Sequence, residues 1–154
     1  MMRISKDVLA RLEDFQRWKA SSADPGSFDL FDYVVSTGTP DLFFGFLELL
    51  CPELLVYRGN YFIASRFDES LFWVWWEKLL DIRKVQKIIN HIDMVTIFQQ
   101  QNVHDSVAEF AAKCIAEAWS KQFHAEGLVA EAYGEGLYGA HVTLFWREPA
   151  EITS

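Results

Sequence analysis

A predicted β-hairpin in the middle of the chain is the feature that most constrains the fold. The segments Leu54 to Tyr57 and Tyr61 to Arg66 are short and rich in β-branched and aromatic residues. Between them lies Gly59-Asn60, a pair that accepts the positive φ angles of a tight hairpin turn. Because an isolated hairpin is at best marginally stable in water, the rest of the chain must supply the elements that cover it.

A tryptophan-rich segment follows the hairpin directly. Asp68 has the side chain of a helix N-cap, and the pattern predicts a helix from Glu69 onward. The segment Leu71 to Trp76 also has the composition of a strand, so a third strand after Arg66 is the alternative. The segment carries Trp73, Trp75 and Trp76. So many large aromatic side chains must either be buried or bind something.

Length and composition predict a single domain over residues 1–154. Of the 154 residues, 51% are hydrophobic and 23% are charged, which is typical of a packed core and not of a disordered chain. The most hydrophobic run, Leu42 to Leu50, contains Glu48 and has about half the length that spans a membrane. The polar N-terminus lacks the apolar centre of a signal peptide, and Cys51 and Cys114 form no disulfide or zinc motif. We therefore expect a cytoplasmic protein that is not associated with a membrane.

The remaining hydrophobic patterns predict an α+β fold. We expect one antiparallel or mixed sheet of about five strands, packed against roughly four to six helices. The segment Pro40 to Leu50 is apolar on all sides, which predicts a buried helix. The other predicted helices cover Ser5 to Ala20, Phe28 to Val35, Ile82 to Asn90 and Val103 to His124. The other predicted strands cover Met94 to Phe98, Leu128 to Tyr133 and Ala140 to Arg147.

The distribution of charge is strongly uneven. The formal net charge is −8, and no Lys or Arg occurs between Lys19 and Arg58. The same interval contains Asp24, Asp29, Asp32, Asp41, Glu48 and Glu53. An acidic chain of this kind does not favour nucleic-acid binding, because affinity for a phosphate backbone depends on neutralising several phosphates at once.

The acidic interval predicts an interaction with a basic protein. Its carboxylates alternate with aromatic side chains, so that the former can steer a partner and the latter can anchor it. Because three tryptophans cannot all face inward on one helix, at least one tryptophan of this segment is expected to be exposed and able to contact a partner. The expected partner-binding residues are Asp29, Phe31, Asp32, Tyr33, Trp75 and Trp76. An immunity or antitoxin-like protein that neutralises a basic toxin is one form of this hypothesis.

Two alternatives remain open at this level. His91 and Asp93 would lie on one face of a strand, where an imidazole and a carboxylate together suit acid–base chemistry in a small-molecule pocket near Trp76. The other histidines have no metal-binding spacing, and no motif indicates a cofactor or a metal. In the second alternative, the surplus of aromatic residues forms a homodimer interface.

Overall fold

A computed structural model describes residues 4–98 and 103–147 of the chain, and it shows a mixed α+β domain. The helices and strands follow one another in the order α1 (Lys6–Ala10), α2 (Glu13–Ala20), α3 (Leu30–Thr37), α4 (Pro40–Leu50), β1 (Leu54–Tyr57), β2 (Asn60–Ile63), a 3₁₀ turn (Ala64–Arg66), α5 (Glu69–Leu79), α6 (Ile82–Ile89), β3 (Ile92–Asp93), α7 (Met94–Phe98), α8 (Asp105–Gln122), β4 (Leu128–Tyr133), α9 (Gly136–Gly139) and β5 (His141–Trp146).

The described residues form two small sheets, and the predicted five-stranded sheet is not formed. Strands β1 and β2 pair antiparallel, and the second sheet has the antiparallel order β3-β5-β4. The prediction of a strand over Met94 to Phe98 is wrong, because this segment is helix α7. Met94 is fully buried in the main core, with Val95 and Ile97 packed against that core. This packing overrides the β-propensity of the segment.

Buried amide side chains of α6 explain why the two sheets remain separate. Gln86 and Asn90 lie one helical turn apart, and both are fully buried. The Gln86 side chain donates to the Tyr61 carbonyl of β2 at 3.0 Å and accepts from the Trp146 N–H of β5 at 3.1 Å. The amide thus occupies backbone groups that a direct pairing of β2 with β5 would use.

Asn90, the C-cap residue of α6, repeats this bridge one helical turn further along the chain. Its side chain accepts from the Ile63 N–H and donates to the Leu144 carbonyl, both at 2.9 Å. Thr143, also fully buried, donates its hydroxyl to the Lys87 carbonyl at 2.7 Å. The edges of β2 and β5 are therefore joined through the side chains of α6.

The hairpin forms as predicted, but its turn lies one residue earlier. Arg58 and Gly59 have positive φ angles of 51° and 76°, which is the backbone of the tight turn that matches strand twist. Asn60 belongs instead to β2, where it pairs with Tyr57. The Trp146 indole donates to the Asn60 side chain at 3.0 Å, so this residue also ties the hairpin to β5. Strand β2 ends at Ile63 and does not continue to Arg66.

The tryptophan-rich segment is a helix, and the alternative of a third strand is wrong. The Asp68 side chain accepts from the Leu71 N–H at 2.8 Å, which caps α5 as predicted. Phe72 is the buried residue of α5. It packs with Phe62, Val85 and Ile89 in a cluster between the hairpin, α5 and α6.

A larger core lies between α8 and the three-stranded sheet. Its fully buried members include Trp119, Leu128, Val142 and Leu144. The indole of Trp119 donates to the Leu49 carbonyl at 3.0 Å. This bond attaches the C-terminal end of α4 to the core.

The single N-terminal helix predicted over Ser5 to Ala20 is two helices. The chain breaks at Arg11 and Leu12, between α1 and α2. The Gln16 side chain donates to the Leu9 carbonyl at 2.9 Å. This side chain satisfies a carbonyl that a continuous helix would have bonded internally.

We expect the substitution Asn90→Ala to lower the free energy of unfolding by about 2–6 kcal/mol, because it leaves the buried Ile63 N–H and Leu144 carbonyl without a partner. Urea unfolding followed by tryptophan fluorescence measures this loss. Gln122→Ala, which removes an exposed amide at the end of α8, is the control and should change stability by less than about 0.5 kcal/mol. Equal effects of the two substitutions would contradict the bridging role of Asn90.

Candidate functional site

Helices α3 and α4 expose an unusual amount of apolar surface. The prediction that α4 is buried is wrong: Phe43 is 65% exposed and Phe44 is 64% exposed, and Phe31 of α3 is 73% exposed. We call this region the α3–α4 surface. Its large exposed apolar residues are Phe31, Val34, Val35, Leu42, Phe43, Phe44, Phe46, Leu47 and Leu50.

Local sequence explains why these two helices form without being covered. Asp29 and Asp32 make a capping box at the start of α3, with backbone-to-carboxylate bonds of 2.9 and 3.1 Å. Thr39 caps α4, and Pro40 occupies the first turn, where its fixed φ suits the helix. These local interactions stabilise the helix ends even though the apolar side chains remain in solvent.

Each helix is held to the domain at a limited number of points. In α3, Tyr33 is half-buried and packs edge-on against Phe15 and Trp18 of α2, with ring centroids 5.8 and 5.4 Å apart. In α4, the Leu49 carbonyl accepts the bond from Trp119. The domain therefore positions the two helices while leaving most of their apolar residues exposed.

A groove of about 590 Å³ opens beside the α3–α4 surface. Phe15 and Tyr33 line it from the N-terminal helices, and Phe46 and Val107 line it from α4 and α8. Arg11 and Arg17 lie at the same groove, paired with Asp7 and Asp14 respectively. The groove thus combines an apolar lining with the ion pairs of Arg11 and Arg17 and with the carboxylate of Glu13.

The six carboxylates of the acidic interval lie in the same segment of the chain as α3 and α4. Within residues 4–98 and 103–147, none of the six makes an ion pair. Asp24 instead accepts a hydrogen bond from the Ser27 hydroxyl. Asp41 and Glu48 are exposed on α4 itself. The basic residues of the described chain therefore form no direct ion pair with the negative charge of this region.

The residues predicted to bind a partner do not form one site. Phe31 lies on the α3–α4 surface, and the exposed Asp29 and the half-buried Asp32 form the capping box at its edge. Trp75 and Trp76 are half-buried on α5 in the separate cluster around Phe72. Trp76 stacks on Phe72 with ring centroids 6.3 Å apart, and the Lys78 ammonium lies over the Trp75 ring. Trp73, Trp75 and Trp76 of α5 are thus partly buried against this cluster.

A second candidate site lies where β3 meets β5. As the alternation predicted, the His91 and Asp93 side chains lie together, with His91 Nε2 2.5 Å from Asp93 Oδ1. His141 Nδ1 lies 2.5 Å from the same carboxylate oxygen. The pairing of Asp93 with His141 across the two strands brings the third residue in. We call these three residues the His–Asp–His cluster.

The aromatic residue at this cluster is Tyr133 and not the predicted Trp76. The Tyr133 hydroxyl is 2.7 Å from His91 Nδ1, and its ring centroid is 5.1 Å from that of His141. Burial raises the pKa of the Tyr133 phenol, and the charges of Asp93 and Glu131 raise it further. A cavity of about 250 Å³ adjoins Tyr133, and Ala132, Gly134 and Ala140 are among its lining residues.

Hydrogen bonding and charge favour the ionised form of Asp93. Burial by itself would raise the pKa of this carboxyl, but hydrogen bonds and charges from His91 and His141 outweigh it and hold the pKa below its ordinary value. The result is an anionic oxygen between two imidazoles. The sequence pointed to His91 and Asp93 but not to His141, because the strand pairing that joins them spans about fifty positions.

The comparisons with known proteins add no functional information. No protein-family model matches the chain, and neither the curated proteins nor the solved structures give a match. None of the helices in the described ranges has the length and apolar character needed to cross a membrane. Function must therefore be inferred from the two sites themselves.

We expect the double substitution of Phe43→Ala and Phe44→Ala to change the free energy of unfolding by less than about 1 kcal/mol, since these side chains are exposed and alanine favours helix. Phe62→Ala is the matched control, because Phe62 is fully buried, and it should cost about 3–5 kcal/mol. Urea denaturation of the isolated protein measures both. A large loss in the double variant would show that the α3–α4 surface is covered in solution.

Proposed function

We propose that this protein is a protein-interaction domain that binds a basic partner protein through the α3–α4 surface. The observation that carries the proposal is the exposure of nine large apolar side chains on two consecutive helices, with Val34 of α3 and Phe46 of α4 lining one groove. Soluble monomeric domains rarely expose large apolar patches, and patches rimmed by polar residues mark interaction sites. Exposed Phe31, Phe43 and Phe44 are the expected anchors, since buried aromatic side chains carry much of the energy of interfaces.

The surrounding charge indicates the class of partner. Asp41 and Glu48 flank the apolar residues of α4, and the nearby Asp29 and Asp32 flank those of α3. A second copy of this chain would bring like charges together, which opposes association. Anionic membranes and nucleic acids would be repelled in the same way. A protein that presents apolar side chains bordered by Lys or Arg complements both features.

The groove beside the surface suits the insertion of a partner's side chain. It shares Val34 and Phe46 with the α3–α4 surface, so that a ligand covering the helices would extend into it. Neutralisation of a basic toxin by an immunity or antitoxin-like protein is one form that this function takes. It would require that the partner's own basic site be covered by the acidic interval.

The test captures partners of the tagged wild-type protein from the native cell extract. The affinity of the captured protein is then measured for the wild type and for each variant. We expect a basic partner whose affinity falls about tenfold or more with the double substitution of Phe43→Ala and Phe44→Ala. Glu48→Lys should also weaken binding and reduce its dependence on salt. This substitution preserves α4, because a positive charge near the helix C-terminus is favourable.

Glu77→Lys is the matched control, because Glu77 is exposed near the C-terminus of α5 in the same way. The proposal requires that this variant bind the partner like the wild type. Unchanged capture by the phenylalanine variant would contradict it. The proposal would also be contradicted if the wild type sedimented as a dimer and the phenylalanine variant as a monomer. In that case a second copy of the chain would occupy the surface.

A further inference from the structure

We propose that His91, Asp93 and His141 form a binding site for a divalent first-row transition-metal ion. Each residue supplies one ligand atom, and these atoms lie within 4.8 Å of one another. Two imidazoles and one carboxylate are a ligand set suited to ions such as Zn²⁺, Fe²⁺ or Co²⁺. The inference does not depend on the α3–α4 surface.

The geometry needs little change to accept an ion. Both histidine nitrogens already converge on Asp93 Oδ1 at 2.5 Å. In a tetrahedral set with metal–ligand distances of about 2.0–2.2 Å, neighbouring ligand atoms are roughly 3.4 Å apart. Small side-chain rotations of His91 and His141 therefore open the space for the ion between the three ligands.

The backbone that carries the ligands is fixed on both strands. Asp93 and His141 are directly paired across β3 and β5, and the next residue, Met94, donates its N–H to the Ala140 carbonyl at 3.0 Å. The Arg66 guanidinium donates to the His91 carbonyl at 2.8 Å. A rigid scaffold lowers the entropy lost when the ligands are ordered around an ion.

Tyr133 provides the outer contact that metal-binding histidines usually have. With His91 Nε2 as the ligand, the opposite nitrogen Nδ1 faces the Tyr133 hydroxyl at 2.7 Å. A hydrogen bond from Nδ1–H to this oxygen would select the tautomer with a free Nε2 lone pair and hold the ring in place. Tyr133 is thus a positioning residue for His91.

Partial exposure leaves room for further ligands. The side chains of the three residues are 22 to 36% exposed, so solvent reaches the cluster. Sites with three protein ligands and an open position bind a water molecule or a small anionic ligand there. We assign to this site an ion that retains at least one exchangeable ligand.

The test uses untagged, chelator-treated protein titrated with Zn²⁺ in a calorimeter, and with Co²⁺ followed by visible absorption. We expect saturation at about one ion per chain and a Co²⁺ spectrum typical of nitrogen and oxygen ligation. Asp93→Asn and His141→Ala should abolish both signals. Tyr133→Phe should weaken Zn²⁺ affinity by about tenfold, as loss of an outer contact does.

His124→Ala is the matched control, because it removes an exposed histidine outside the cluster, and it should bind Zn²⁺ like the wild type. Circular dichroism verifies that each variant folds. If His141→Ala does not fold, the Zn²⁺ affinity of Asp93→Asn alone decides the test. This variant should fold, because the side-chain oxygen of asparagine still accepts hydrogen bonds from the imidazoles. The absence of saturable binding by the wild type would overturn the proposal and leave a hydrogen-bonded network. Wild-type affinity in folded Asp93→Asn would overturn it as well.

Discussion

The buried amides of Gln86 and Asn90 are the interaction on which the arrangement of the two sheets depends. Each side chain offers one donor and one acceptor, and each satisfies one backbone group of β2 and one of β5. The bonds of Asn90 are buried and those of Gln86 are partly buried, so losing either amide would leave two backbone groups without their partner. The bridge therefore specifies both the position of α6 and the distance between the sheets.

This bridge also organises the two hydrophobic clusters. Helix α6 carries Val85 and Ile89 into the cluster with Phe62 and Phe72, while its amides hold the edge of β5, which belongs to the larger core with α8. One helix thus connects both. The segments outside this arrangement, α3 and α4, are attached through Tyr33 and Leu49 and remain largely in solvent. The α3–α4 surface is exposed because the buried residues of the two clusters lie in other elements.

The two candidate sites have different physical characters. The α3–α4 surface is apolar and bordered by carboxylates that make no ion pair with other described residues, and on this we base the proposal of a basic partner protein. The His–Asp–His cluster is compact and lies on a rigid sheet, with Tyr133 in contact with one ring. A rigid base favours a small ligand such as an ion, because coordination demands precise placement of few atoms. The two proposals can therefore be tested independently.

The sequence by itself determined the local features of this protein. Asp68 caps α5 as its side chain predicted, and Thr39 and Asp81 cap α4 and α6 in the same way. The hairpin, α8 and the strands β4 and β5 follow from periodicity and turn residues. It also placed His91 next to Asp93, because residues two apart in an extended segment share a face. These features depend on neighbours within a few positions, and such interactions can be inferred from the sequence alone.

Only the tertiary structure decided which surfaces are covered and which distant residues meet. The apolar character of Pro40–Leu50 predicted burial, but burial needs a covering element, and the described chain places none over most of α4. Likewise, Met94–Phe98 is a helix because that conformation packs Met94, Val95 and Ile97 into or against the main core. His141 and Tyr133 join the cluster through strand pairings across the fold. Long-range contacts of this kind depend on the packing of the whole domain, whereas caps and turns depend on the local chain.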